Sequence, residues 1–298
     1  PRLCLYMHRF MATAVLCLLA APLPAQQAQR PLPDQQAFIQ EVRKHLDTDD
    51  DRQSGYMYVE TRREQKLDKA GQPTGESVKV LESYPALPGE QRWERVLSED
   101  GRAVPTHELE NKDRERQKHV EEYARKLAKD PAGERAKVQR ERDKRRRELE
   151  ENIAELFRIY DVRMVGREAL EAHDAIVFSL TPRPDAKPRT RAGGIMRKFN
   201  VRAWISESDY EMVRVEAEAI ATVSFGLGML ARVHKGSKAS FQRRKVNGEA
   251  WLPAHASYAV SVRVGLLAVL RRGASIEFSN YKKFGVDSSY RIATPTSR

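Results

Sequence analysis

The sequence predicts a mainly antiparallel β protein: a strongly twisted sheet with an N-terminal helix and a charged helical insertion. Roughly ten stretches between residues 56 and 284 show the period-two alternation of strands, and helical periodicity interrupts them only once. Asp100-Gly101 and Asn247-Gly248 are tight-turn signals between neighbouring stretches, which is typical of antiparallel strands. The 298 residues, 40% of them hydrophobic, suffice for a substantial core.

The beginning of the chain has the layout of an export signal. A short positive region, His8-Arg9, follows Met7; an apolar run covers residues 10–21, and small residues lead to Ala25. The run is shorter than the roughly 20 residues that a membrane-spanning helix needs. We therefore expect a signal peptide at residues 7–25, with residues 1–6 upstream of the translation start, and a mature protein in the periplasm.

Cysteine and histidine usage argues against catalysis. The only cysteines, Cys4 and Cys17, precede the expected cleavage site, so the exported domain has no disulfide, thiol nucleophile or Cys-ligated zinc. Leu16 stands where a lipidated Cys17 would need a small residue, which disfavours a lipid anchor. The histidines after the expected cleavage site lack the spacing of metal ligands, and no Gly-x-Ser-x-Gly nucleophile motif occurs. We expect no enzyme, no cofactor and no metal.

One half-barrel domain is expected over residues 33–298. It should begin with a helix at 33–46, where Phe38, Ile39 and Val42 recur at helical spacing. Strand-forming residues then predict strands at 56–61, 76–84 and 91–98.

A charged helical insertion is predicted at residues 106–158. This segment has 16 Lys and Arg against 14 Asp and Glu, many of them three or four residues apart. Asp130-Pro131 should divide it into two helices, each with one thin apolar stripe. The stripes consist of Val120, Tyr123 and Leu127, and of Leu149, Ile153, Leu156 and Phe157.

Strand periodicity resumes after the insertion. Strands are expected at 162–166 and 175–181, then, after a basic loop at 182–194, at 199–206, 212–225, 229–244, 251–263 and 274–284.

Two of these strands predict an apolar face that binds lipid. Alternate residues from Met212 to Phe225 and from Trp251 to Arg263 are apolar, and alanine is frequent among them, which leaves space between the sheet and its cover. We expect open volume beside Ala217, Ala219, Ala221, Ala254 and Ala256. The candidate cavity residues are Val213, Val215, Ala217, Ala219, Ala221, Val223, Phe225, Leu252, Ala254, Ala256, Tyr258, Val260 and Phe278. The alternative is that the helices simply pack on this face.

The charge distribution suggests a partner. The formal net charge of +11 falls to +9 once Arg2 and Arg9 are removed with the signal, and residues 195–298 carry 17 basic against 8 acidic residues. An exported protein meets little nucleic acid, so this excess favours an anionic membrane surface or an acidic partner over nucleic acid, while solubility is the simpler explanation. The Arg-rich run of the insertion is balanced by its acids and is interpreted as a solvated helical face.

Several motifs together resemble a known family. The strand Val201-Arg202-Ala203-Trp204-Ile205-Ser206, the turn Asp209-Tyr210, the strand Val213-Arg214-Val215-Glu216 and the segment Trp251-Leu252-Pro253 resemble the exported outer-membrane lipoprotein carrier (LolA/LolB-like) superfamily. The resemblance implies that the sheet is an unclosed, strongly curved, barrel-like antiparallel sheet, and that its concave apolar side is plugged by helices and takes up acyl chains. The insertion and the basic loop depart from that pattern, and no gating residue is transferred.

Two functions remain open at this point. The first is a carrier that binds the acyl chain of a lipid or lipoprotein on the concave apolar face. The second is an envelope protein-interaction or sensing module without lipid cargo, in which the insertion is the binding element.

Overall fold

The computed structural model describes residues 30–45, 53–70, 72–88, 90–170, 173–225, 231–264 and 268–283. The chain divides into two compact units between Pro31 and Leu32, and every element below belongs to the second. The predicted signal peptide, residues 7–25, lies outside the described residues. Within the described ranges, no helix is both long and apolar enough to cross a membrane.

The helices that position the site are α1 (Gln35–His45), α2 (Thr106–Lys129), α3 (Pro131–Ile159) and α4 (Arg191–Met196). The strands are β1 (Tyr56–Leu67), β2 (Pro73–Tyr84), β3 (Trp93–Glu99), β4 (Arg102–Ala103), β5 (Tyr160–Leu170), β6 (His173–Pro182), β7 (Phe199–Ser206), β8 (Met212–Ala219), β9 (Val223–Phe225), β10 (Ala231–Val233), β11 (Lys238–Val246), β12 (Ala250–Val264) and β13 (Ala268–Lys283).

The strands form one antiparallel sheet with the order β4-β3-β2-β1-β13-β12-β11-β8-β7-β6-β5, while β10 joins β9 to β12. In the described part of the chain, β4 and β5 are the two edges and do not pair with each other, so the sheet is not closed into a barrel. This confirms the predicted fold class: a mainly antiparallel, unclosed sheet with a few helices.

The predicted apolar face extends across the sheet. Residues paired across an antiparallel ladder point to the same face. One row consists of Met164, Phe178, Ala203, Val215, Phe241 and Ala256, and the next of Val162, Leu180, Val201, Ala217, Ala239 and Tyr258. The main core lies where α1 and the end of α3 cover the β5–β7 part of this face, around Phe38, Ile159 and Phe178.

Helices α2 and α3 fall inside the predicted insertion and meet at the predicted break. Asp130 is the N-cap of α3, and its side chain accepts the Gly133 N–H at 2.9 Å. Pro131 occupies the first helical position, where its missing N–H removes no intrahelical hydrogen bond. Arg95 ties α2 to β3 by bonding Asp113 at 3.0 Å. The middle of α3, residues 139–148, is exposed throughout.

The predicted strands at 212–225 and 229–244 are wrong as continuous strands. The first ends at Ala219, where the Ile220 N–H donates to the Lys198 carbonyl, and β9 then pairs with β10 alone. The second is divided between β10 and β11 by a turn at Gly236, whose φ is +85°. The basic loop at 182–194 also runs into a short helix, α4.

Candidate functional site

The candidate site is an apolar cavity between α1, the end of α3 and strands β5–β7, called here the α1–α3 cavity. Its volume is about 160 Å³. The lining residues are Ile39, Val42, Arg43, Ile153, Leu156, Phe157, Val162, Phe178, Leu180, Ala203 and Ile205. Ten of these eleven side chains are apolar, and Arg43 alone is charged.

Helix α1 is attached to the sheet by one buried aromatic residue and one amide side chain. The Phe38 ring lies 5.9 Å from that of Phe178 and 5.2 Å from that of Tyr210. The Gln35 side chain donates to the Val162 carbonyl at 3.1 Å and accepts the Met164 N–H at 2.8 Å. It thereby occupies backbone groups of β5 that an edge strand leaves unpaired.

Glu155 fixes the end of α3 although it is only 1% exposed. Its carboxylate accepts the N–H groups of Arg189 and Thr190, and Arg158 pairs with it at 2.7 Å. Burial opposes ionisation, but the two N–H groups and the Arg158 cation outweigh it and lower the pKa of Glu155. Gly193 must be a glycine because a Cβ there would lie 2.1 Å from the Glu155 carboxylate.

A cation stands at the rim of the cavity. Arg43 is exposed, and its guanidinium carbon lies 4.6 Å from the centre of the Phe157 ring. A cation over an aromatic face is held there by the ring quadrupole. The arrangement therefore combines an apolar interior with one positive group at its rim.

The structure places the predicted cavity residues on β8, β9, β12 and β13, and brings only some of them together. Val215 and Ala217 pair with Ala203 and Val201, so they share the face of the cavity. Through β11, the same two rows reach Ala256 and Tyr258. No predicted residue lines the α1–α3 cavity itself.

Strict alternation fails at two of the predicted residues. The pairing of Trp204 with Arg214 and of Ile205 with Met212 leaves Val213 as an extra residue on β8. Ala254 is likewise an extra residue on β12, between His255 and Pro253. Each β-bulge reverses the alternation beyond it, so Leu252 does not share the face of Ala256.

The remaining predicted residues are also separated. Ala221 is exposed between β8 and β9, and Val223 and Phe225 lie on β9, away from the main rows. Ala219 is 1% exposed rather than open to a cavity. Val260 lies toward the far end of β12, and Phe278 contacts the ring of Tyr58 at 5.4 Å.

A second cavity, of about 690 Å³, reaches from β1 to β6 across the middle of the sheet. Ala217 and Tyr258 are among its residues, but most of its lining, including Arg202, Glu216, Glu218, Lys238, Ser240 and Ser257, belongs to the polar face that alternation places opposite them. Lys238 and Glu218 lie 3.7 Å apart. Its charged and hydroxyl lining suits an acyl chain less well than the α1–α3 cavity does.

Sequence reasoning assigned the helical wall of the α1–α3 cavity to packing. The sequence shows apolar stripes on the two helices, formed by Ile39 and Val42 of α1 and by Ile153, Leu156 and Phe157 of α3. These stripes are the sequence signal from which the helical wall of the cavity could have been predicted.

The described residues contain no group of three or more His, Cys, Asp or Glu side chains arranged to hold a metal ion.

Neither a protein-family model nor a curated protein matches the sequence. Several solved structures are similar to the chain over most of its length. The chain is similar to a domain described as that of an outer-membrane lipoprotein-sorting protein from Vibrio parahaemolyticus, at 8% identity and a TM-score of 0.34, over 86% of this chain and 93% of that one. It is also similar to a LolA superfamily protein from Nitrosomonas europaea, at 10% identity and a TM-score of 0.25, over 84% and 94%.

A third match is MucB in its complex with MucA(peri), at 10% identity and a TM-score of 0.24, over 85% of this chain and 100% of that one. The second of these structures is described as a LolA superfamily protein. The third is a protein that was solved with a protein partner.

Proposed function

We propose that the protein is an exported, non-catalytic carrier that binds the acyl chain of a lipid or lipoprotein in the α1–α3 cavity. The observation that carries this proposal is the composition of the lining, ten apolar side chains with one cation at the rim. An apolar enclosure gains free energy by taking hydrocarbon out of water, while Arg43 offers a partner to a carboxylate or phosphate head group.

The size of the cavity implies that it widens on binding. Pockets for small molecules usually enclose about 300–1,000 Å³, whereas this cavity has about 160 Å³. Helix α1 is the natural moving part because its 11 residues are too few for a stable isolated helix, so contacts with the sheet determine its position.

Filling the cavity tests the proposal. Ala203 lines the α1–α3 cavity, so Ala203→Leu should lower affinity for a fluorescent fatty acid at least about tenfold, with stability unchanged or higher because vacant volume is filled. Ala239→Leu is the matched control. Ala239 is an exposed residue on the same apolar face, paired with Ala217, and does not line the α1–α3 cavity.

The two variants also separate the two possible sites. Loss of binding in Ala239→Leu alone would place the acyl chain over β8, β11 and β12, the part of the face that includes the predicted residues Ala217 and Tyr258. No binding by the parent protein would contradict the carrier function altogether.

The second candidate, an envelope protein-interaction or sensing module, is favoured by the exposure of residues 139–148 of α3. Native mass spectrometry of protein purified from its own envelope distinguishes the two. A co-purified lipid supports the carrier, whereas a lipid-free protein with a bound polypeptide supports the module. The proposed location is the periplasm, on the strength of the signal layout at residues 7–25.

A further inference from the structure

Helix α3 separates its charges by face, although the insertion as a whole is nearly neutral. Successive residues of an α-helix are rotated by about 100° around its axis, so each of residues 135–149 of α3 can be assigned to a face of the helix. One arc of about 100° on α3 contains basic and apolar residues and no acid. Its members are Arg135, Val138, Arg142, Arg145, Arg146 and Leu149, and the four arginines are called here the arginine face.

The acids of the same segment lie outside this arc. Glu141 and Glu148 flank it on one side and Asp143 on the other, where Asp143 accepts a bond from Gln139 at 2.9 Å. Arg146 is 3.5 Å from Glu150, but both side chains are about two-thirds exposed, at 66% and 67%, so solvent screens this pair. All four arginines are exposed to solvent.

The arginine face also runs toward the candidate site. Ile153 and Leu156 continue the same arc toward the end of α3, and both line the α1–α3 cavity. Arg146 and Ile153 are separated by seven residues, or about 10 Å of helix. A surface that holds the arginine face would therefore be close to the apolar cavity.

We propose that the arginine face is a docking surface for a membrane with anionic lipid head groups. Charge complementarity identifies the partner: the planar guanidinium group can donate two parallel hydrogen bonds to the oxygens of a phosphate, and several adjacent arginines gain from a surface that presents many phosphates. The face carries only Val138 and Leu149 as apolar residues, so the contact is electrostatic and does not insert into the bilayer. This docking goes beyond acyl binding and does not require it.

Vesicle sedimentation of the purified protein tests the inference. The protein should bind vesicles of phosphatidylcholine that contain about one quarter phosphatidylglycerol, and it should dissociate from them at high salt. It should not bind vesicles of pure phosphatidylcholine. The variant Arg135→Gln, Arg142→Gln, Arg145→Gln, Arg146→Gln should lose at least about tenfold in affinity. All four positions are exposed, so its thermal unfolding should match that of the parent.

A control on the same helix removes the same charge. Lys137, Arg140, Lys144 and Arg147 lie on another face of α3, next to Glu141 and Glu148, and are exposed. Changing these four to Gln should reduce affinity less than about threefold. Equal losses in the two variants would show attraction to net charge only. Unchanged binding in both would assign docking to the basic residues 195–298, and either result, like no binding by the parent, would overturn the proposal.

Discussion

Arg243 connects the two β-bulges that strict alternation failed to predict. It is 7% exposed on β11, between the bulged strands β8 and β12. Its guanidinium donates to the Met212 carbonyl at 3.0 Å on one side and to the Trp251 carbonyl at 2.8 Å on the other. Burial lowers its pKa to about 10, so it stays protonated at neutral pH. The sequence shows Arg243 as one of three consecutive basic residues, and only the tertiary fold shows which carbonyls it reaches.

The motif residues that resemble the lipoprotein carriers meet at the turn after β7. Asp209 accepts bonds from the Trp251 indole N–H at 3.1 Å and from the Lys245 ammonium at 2.9 Å. Tyr210, the next residue, has a φ of +58°. The Asp209 part of the motif therefore forms a structural junction between β7, β11 and β12, whereas Ala203 and Ile205 of the same motif line the α1–α3 cavity.

Asp209→Asn should make stability less dependent on pH. Burial opposes ionisation of Asp209, but the bonds from Lys245 and Trp251 outweigh it and lower its pKa. A lowered pKa in the folded state stabilises the fold above the unfolded value of about 3.9, and this contribution disappears as pH falls through the folded pKa. Asp209→Asn should cost about 1 kcal/mol at pH 7 and less near pH 3, as measured by urea unfolding with tryptophan fluorescence. An equal cost at both pH values would contradict this account.

Strand β8 shows how far periodicity predicts an element. Its first residue and its apolar face were predicted from the sequence, but its end at Ala219 depends on tertiary bonds. The Ala219 N–H donates to the Ser237 carbonyl at 2.8 Å, and its carbonyl accepts the Gly236 N–H at 2.7 Å. These bonds come from the turn before β11, more than 15 residues later in the chain. Alternation alone therefore continues the strand to Phe225 and groups Ala221 and Val223 with residues they do not adjoin.

Ala219→Leu should destabilise the protein. Ala219 is 1% exposed and pairs with Phe199, so added methyl groups must displace packed neighbours, at a cost of about 1–3 kcal/mol. The matched variant on the same strand, Ala217→Leu, should change stability by less than about 0.5 kcal/mol because the Ala217 side chain is only half-buried, next to the exposed Ala239. Chemical unfolding of both variants measures the difference. If Ala219→Leu were neutral, open volume would lie beside it, as the alternation of β8 first suggested.

At the scale of the molecule, one apolar face is used in two ways. Over β5–β7 it is covered by α1 and α3 and encloses the α1–α3 cavity, while over β11–β12 it carries the exposed Tyr258. The sequence predicted the face, its apolar residues and the covering helices as separate patterns. It could not predict which part of the face the helices cover, because that depends on a strand order in which β1 pairs with β13 and the insertion connects the two edges.

Closure of the site and stability of the fold are coupled through Gln35. Its two bonds hold α1 against β5, so removing them should destabilise the closed molecule and make outward movement of α1 easier. Gln35→Ala should therefore lose about 1–2 kcal/mol of stability while gaining up to about tenfold in fatty-acid affinity. Gln36→Ala, an exposed neighbour on α1, should change neither quantity. Thermal unfolding and fluorescent fatty-acid titration of both variants measure the two effects. If Gln35→Ala loses stability without gaining affinity, α1 does not open the cavity, and acyl chains must enter from elsewhere on the apolar face.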